Sequence, residues 1–164
     1  MIVGMTTFTF VHVLLSLAGI ASGFVVMFGL LTSRPLGNWT ALFLATTLAT
    51  TITGFGFPFA QLLPSHITGF MELVTLGAAI VARYVYHLIG AWRWIFVVSA
   101  VTSLYLNVFV LVVQIFQKIP ALNRLAPTQS EPPFAIAQLV VLVAFIAIGY
   151  FATVKFRYRA RYAG

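Results

Sequence analysis

The sequence predicts an all-α integral membrane protein: a single antiparallel bundle of five transmembrane helices, N-terminus outside and C-terminus cytoplasmic. Three observations predict it. Of 164 residues 62% are hydrophobic and only 7% charged, whereas a soluble domain carries about 25% charged residues. Five stretches approach the roughly 20 apolar residues needed to cross a hydrocarbon core of about 30 Å. The positive charge is also distributed unevenly between the ends of those stretches.

The first span is predicted at 8–31, with no basic residue before it. It is longer than the 7–15-residue apolar core of a secretory signal, and so reads as a span. The Arg34-Pro35 and Leu36-Gly37 breakers separate it from a second, at 39–63. That one is rich in Thr and ends in Gly54-Phe55-Gly56-Phe57-Pro58, where the proline ring would loosen the last turns. The third span is placed at 68–89, the fourth at 94–116 and the fifth at 134–154. Short links at 32–38, 64–67 and 90–93 make neighbours antiparallel. Residues 117–133 hold Pro120, Pro127, Pro132 and Pro133 and form a stiff outer loop. A basic tail occupies 155–164.

Charge chooses the sides. Arg34, Arg93, Lys155, Arg157, Arg159 and Arg161 gather at one side, and Lys118 and Arg124 alone lie at the other. By the positive-inside rule the first group is cytoplasmic. Trp39, Trp92 and Trp94 fall at that same boundary, where indoles settle. The localisation this implies is a bacterial-type inner membrane. The sequon Asn38-Trp39-Thr40 then faces the cytoplasm and has no use as a glycosylation site.

Several function classes are excluded. The chain has no Cys and no Asp, so it cannot supply a thiol–disulfide centre or a multi-acid two-metal hydrolase site. Both Lys lie outside the predicted spans, which removes retinal Schiff-base chemistry. Only Arg83 is an embedded arginine, and a voltage sensor needs a regular series. The alternating basic and aromatic tail reads as an anchor on anionic lipid, not a nucleic-acid surface.

In lipid, helices associate through small and hydrogen-bonding residues, so those positions mark inward faces. The first span carries His12, Ser16, Gly19 and Gly23 on one face, the third Thr68, Glu72, Thr75, Ala79 and Arg83, continued by Tyr86 and His87. The fourth carries Ser99, Ser103, Asn107 and Gln114. The fifth, interrupted by Gln138 and Gly149, reads as peripheral. At 1.5 Å per residue His12 and Glu72 both lie about 6 Å inside the outer boundary, near the levels of Gln61, Gln114 and Gln138. His66 falls in the outer turn.

This polar layer predicts an outer-leaflet pocket formed by Glu72, His12, His66, Gln61, Gln114, Gln138 and Asn107 that holds a small ligand or partner. Glu72, the lone acid within a span, has three readings: a structural acid bonded to His12 or a Gln, a proton or cation site, and a metal ligand. The second makes the protein a small proton- or cation-coupled transporter. The third makes it a redox or metal protein, with His12, His66 and Glu72 around Zn, Cu or Fe, or with His12 on a haem iron. Homo-oligomers or a larger membrane complex would suit each of these. At the cytoplasmic side Arg83, His87, Arg93, Lys155, Arg157, Arg159 and Arg161 form a set for anions or lipid headgroups.

Overall fold

The structure is a computed structural model that describes residues 6–34, 36–56 and 64–157, with the backbone alone at 64–66. The described residues are helical, without a strand. The helices are α1 (Thr7–Leu31), α2 (Gly37–Gly54), α3 (Pro64–Ile80), α4 (Trp92–Lys118), α5 (Pro120–Leu125) and α6 (Pro132–Lys155). Four segments are long and apolar enough to cross a membrane: α1, Ile67–Val85, α4 and α6. Large apolar residues such as Phe28, Val74, Val140 and Ile146 lie exposed on their outer surfaces. Lipid is the solvent that such a surface suits, since water would drive it to aggregate.

α4 is the hub and packs against α1, α3 and α6, while α1 also lies along α2. Small residues set the closest approach. A Cβ placed on Gly23 would stand 2.6 Å from Leu104 Cδ1 and 3.0 Å from the Phe43 ring, so α1, α2 and α4 meet there because that side chain is missing. Around this crossing lie Phe43, Phe96, Leu76, Leu104 and Val97, all fully buried. α6 rests on α4 and α1 and buries little of itself, as its plain sequence predicts. Its Phe145 ring meets Phe24 of α1 and Tyr105 of α4.

Among the described residues, two helices end before the predicted spans do. The predicted second span, 39–63, is helical only to Gly54, and Phe55 and Gly56 form a turn. Residues 57–63, including Pro58 and Gln61, lie outside the described residues. The predicted third span, 68–89, begins earlier, at Pro64, and changes to a π-helical turn over Val81–Val85. There Tyr86 N–H bonds to Val81 O at 3.1 Å, and Leu88 N–H reaches back to Ala82 O at 2.9 Å. His87, Leu88 and Gly90 then adopt left-handed backbone, with φ of 49°, 59° and 57°. His87 therefore leaves the helical row it was predicted to continue, because the wider turn and the left-handed stop rotate it off the α3 face. The predicted loop 117–133 contains α5, which Pro120 starts at its first turn.

The far end of α6 is fastened to the α1–α2 corner. Arg93, at the start of α4, donates to the Phe156 carbonyl just beyond α6. Ser33 Oγ accepts from Arg157 N–H at 2.8 Å and donates to Arg157 O at 3.2 Å. Arg83 lies over the Phe96 ring, 5.6 Å from its centroid. Arg93 and Arg83 thus hold the bundle together at the end where a lipid-headgroup set was expected. Lys155 sits over the Phe151 ring, and Arg159 and Arg161 lie outside the described residues.

Candidate functional site

A cavity of about 570 Å³ lies between α1, α2, α3 and α4. It runs from Thr9 to Ile20 along α1 and from Lys118 to Leu106 along α4. At 1.5 Å per residue both distances are about 16–18 Å, roughly half a hydrocarbon core. Most of its wall is aliphatic, from Val13, Leu17, Ile20, Leu106, Val110 and Ile115. Among sequence-predicted residues, His12, Glu72, Asn107 and Gln114 all line it. Gln138 does not: it is buried on α6 and its amide donates to the Phe109 carbonyl at 3.2 Å, joining α6 to α4. Gln61 and the His66 side chain lie outside the described residues.

Glu72 is the innermost lining residue of α3 and is only 5% exposed. Ser103 Oγ donates to its Oε1, and its Oε2 is buried without a hydrogen-bond partner. Ser103 lies near the middle of α4, which puts this carboxyl deeper than the sequence arithmetic suggests. The cause is the start of α3 at Pro64: Glu72 stands eight residues into the helix, about 12 Å, instead of four. Asn107, one turn above Ser103, donates its amide to the Ser103 carbonyl at 3.2 Å. The predicted polar layer is therefore stepped, with His12 and Gln114 nearer the end of the bundle and Glu72 and Asn107 nearer its middle.

His12 Nδ1 lies 2.8 Å from Thr53 Oγ1, and that hydroxyl is also 2.8 Å from Ala49 O. With the single hydroxyl proton directed at the carbonyl, the imidazole N–H is the donor to Thr53. Ser16 donates to His12 O at 2.8 Å and Thr51 to Thr47 O at 2.9 Å, the usual economy of hydroxyls in lipid-embedded helices. Thr50 and Thr47 depart from it, each with a buried hydroxyl that has no partner.

Ser103, Thr50 and Lys118 are site residues that sequence reading did not select. Ser103 stood in a polar row and Thr50 in a Thr-rich span, but neither pattern says which residue of another helix lies opposite. Lys118 was read only as an interfacial charge, and it lines the cavity at the C-terminal end of α4. Among the described residues no group of three His, Cys, Asp or Glu could hold a metal ion, and His66 of the predicted triad lies outside that set. No protein-family model, curated protein or solved structure matches the chain, so its fold and site stand on their own geometry.

Proposed function

We propose that the protein is a small binding or accessory protein of a bacterial-type inner membrane, with five spans, its N-terminus outside and its C-terminus cytoplasmic. Its cavity lies in the outer leaflet and takes a small amphipathic molecule. The observation that carries this reading is the unpartnered Oε2 of Glu72, buried in the wall of a cavity of about 570 Å³. A buried polar atom without a partner costs about 1–3 kcal/mol, and a ligand that supplies the partner recovers it. The volume falls in the usual range for small-molecule sites, about 300–1,000 Å³. At the opposite end the exposed Arg34, Lys155 and Arg157 hold that face against anionic lipid.

Because the chain has no cysteine, a single Val110→Cys substitution places one thiol in the cavity wall. In nanodiscs this thiol is expected to react with a small water-soluble methanethiosulfonate, and saturating 4-phenylbutan-1-ol is expected to slow the reaction about tenfold. An Ala121→Cys control on the exposed surface of α5 should not be protected. Labelling at Val110→Cys that neither this alcohol nor 4-phenylbutylamine slows removes the binding reading.

A second reading has Glu72 carry a proton or cation in coupled transport. The level of Glu72, beside the midpoint of α4, favours it. Transport by reconstituted protein that persists in Glu72→Gln would eliminate it.

A further inference from the structure

We infer that the cavity selects amphiphiles with an ammonium head, seated on Glu72, over matched alcohols and acids. This rests on the reading of the cavity as a ligand site. It follows from what the inner half of the cavity offers a polar head. Glu72 Oε2 is unpartnered and buried. Asn107 directs one of its two N–H groups at Ser103 O, and its carbonyl oxygen is left as an acceptor. Ser16 and Thr51 direct their only side-chain protons at carbonyls of their own helices, which leaves oxygen lone pairs. Ser103 directs its proton at Glu72 itself. Thr50 alone among these hydroxyls keeps an unengaged proton. Apart from the Thr50 hydroxyl and the second Asn107 N–H, the inner half thus offers acceptors and one carboxyl group, and an ammonium, with several N–H donors and no lone pair, is its complement.

Among the described residues no cationic side chain supplies that donor. The cationic side chain on the cavity wall is Lys118, eleven residues beyond Asn107 on α4, or about 16 Å along the helix. A lysine side chain does not span that distance. A bare metal cation fits poorly as well, because one carboxylate in a largely aliphatic wall lacks the six or more oxygens that a hard cation gathers. An organic amine uses both parts of the site: its head meets Glu72 and its apolar body meets Val13, Leu17, Leu106 and Val110. An organic carboxylate would place like charge, or a second acceptor, against an acceptor set.

The test uses the full chain with Val110→Cys in nanodiscs and three probes with one tail: 4-phenylbutylamine, 4-phenylbutan-1-ol and 4-phenylbutanoate. Protection of the thiol gives an affinity for each. The amine is expected to bind about tenfold more tightly than the alcohol, the scale of one charge-assisted hydrogen bond, and the acid more weakly than either. In Glu72→Gln the advantage of amine over alcohol should disappear. Should that variant fail to accumulate, Asn107→Leu and Thr51→Val each remove one acceptor and should each reduce the same ratio. Equal protection by all three probes, or an amine advantage that survives Glu72→Gln, overturns the ammonium assignment and leaves the cavity as a ligand site. Protection by none of them removes the ligand site itself, and the assignment with it.

Discussion

Gly23 and Gly77 carry the same residue type in opposite circumstances. The Cβ of an alanine at 23 would press on Leu104 and Phe43, both fully buried and unable to yield without displacing others. At 77 the same Cβ would meet nothing within 4 Å. Gly23→Ala is expected to destabilise the bundle by about 1–3 kcal/mol through overpacking. Gly77→Ala should stabilise it by about 0.5–1 kcal/mol, because alanine is the better helix former. Denaturant unfolding in mixed micelles checks both, and a Gly23→Ala protein as stable as the parent would show that the helices can separate at no cost. Sequence periodicity identified Gly23 as inward-facing but not what it touches. The same limit explains why Glu72 and Asn107 were legible while the bond from Ser103 was not: periodicity fixes a face, and the register between two helices sets the partner.

Among elements, hydrophobic length located α1, α4 and α6 to within about two residues at each end, the usual margin for helix boundaries. It misjudged α2 and α3, whose ends are set by backbone events that hydropathy does not record. Gly54 and Gly56 stop α2 within a hydrophobic run, and the π-helical turn and left-handed residues stop α3 before the apolar run is exhausted. The turn before α6 is held by polar bonds instead. Glu131 accepts from Thr128 Oγ1 at 2.9 Å, Thr128 N–H at 3.1 Å and Ser130 N–H at 3.1 Å. Desolvation pushes its carboxyl upward, but these hydrogen bonds outweigh that and hold it below the ordinary carboxylate range. A carboxyl lowered by folding stabilises the turn above its unfolded value, and the contribution is lost as pH falls through the lowered one. The amide resonances of Thr128 and Ser130 should therefore titrate together with a midpoint below the usual glutamate value of about 4.3. A midpoint at or above that value, or none, would separate the carboxylate from the order of this turn.

For the whole molecule, the decisive quantity is whether α2 crosses. Its 18 residues carry six threonines and it is not among the four segments apolar enough to span on composition alone. It nevertheless packs along α1, and its Thr40, Phe43, Leu44, Thr47 and Thr51 are buried. A helix whose hydroxyls bond to its own backbone can cross in the company of other helices at lower hydropathy than one facing lipid alone. Compartment-specific reporters fused at the two ends of the chain are expected to report opposite sides. The same side for both would mean an even number of crossings and would place α2 in a different relation to the bilayer.

The Ser33–Arg157 clasp joins residues 124 positions apart. At the pace of synthesis, about 5–20 residues per second, the second partner emerges roughly 6–25 s after the first. During that interval the corner between the first two helices is made, with Ser33 already needing a left-handed backbone at φ 57°, but its hydroxyl has no tail to bind. The groove that α6 will occupy on α1 and α4 is filled by lipid for the same period. The contacts among α1, α2, α3 and α4 need no residue of α6, which packs on the surface that α1 and α4 present. A chain cut short within α6 would keep every helix that walls the cavity, α1 to α4, and lose the clasp at the Ser33 turn.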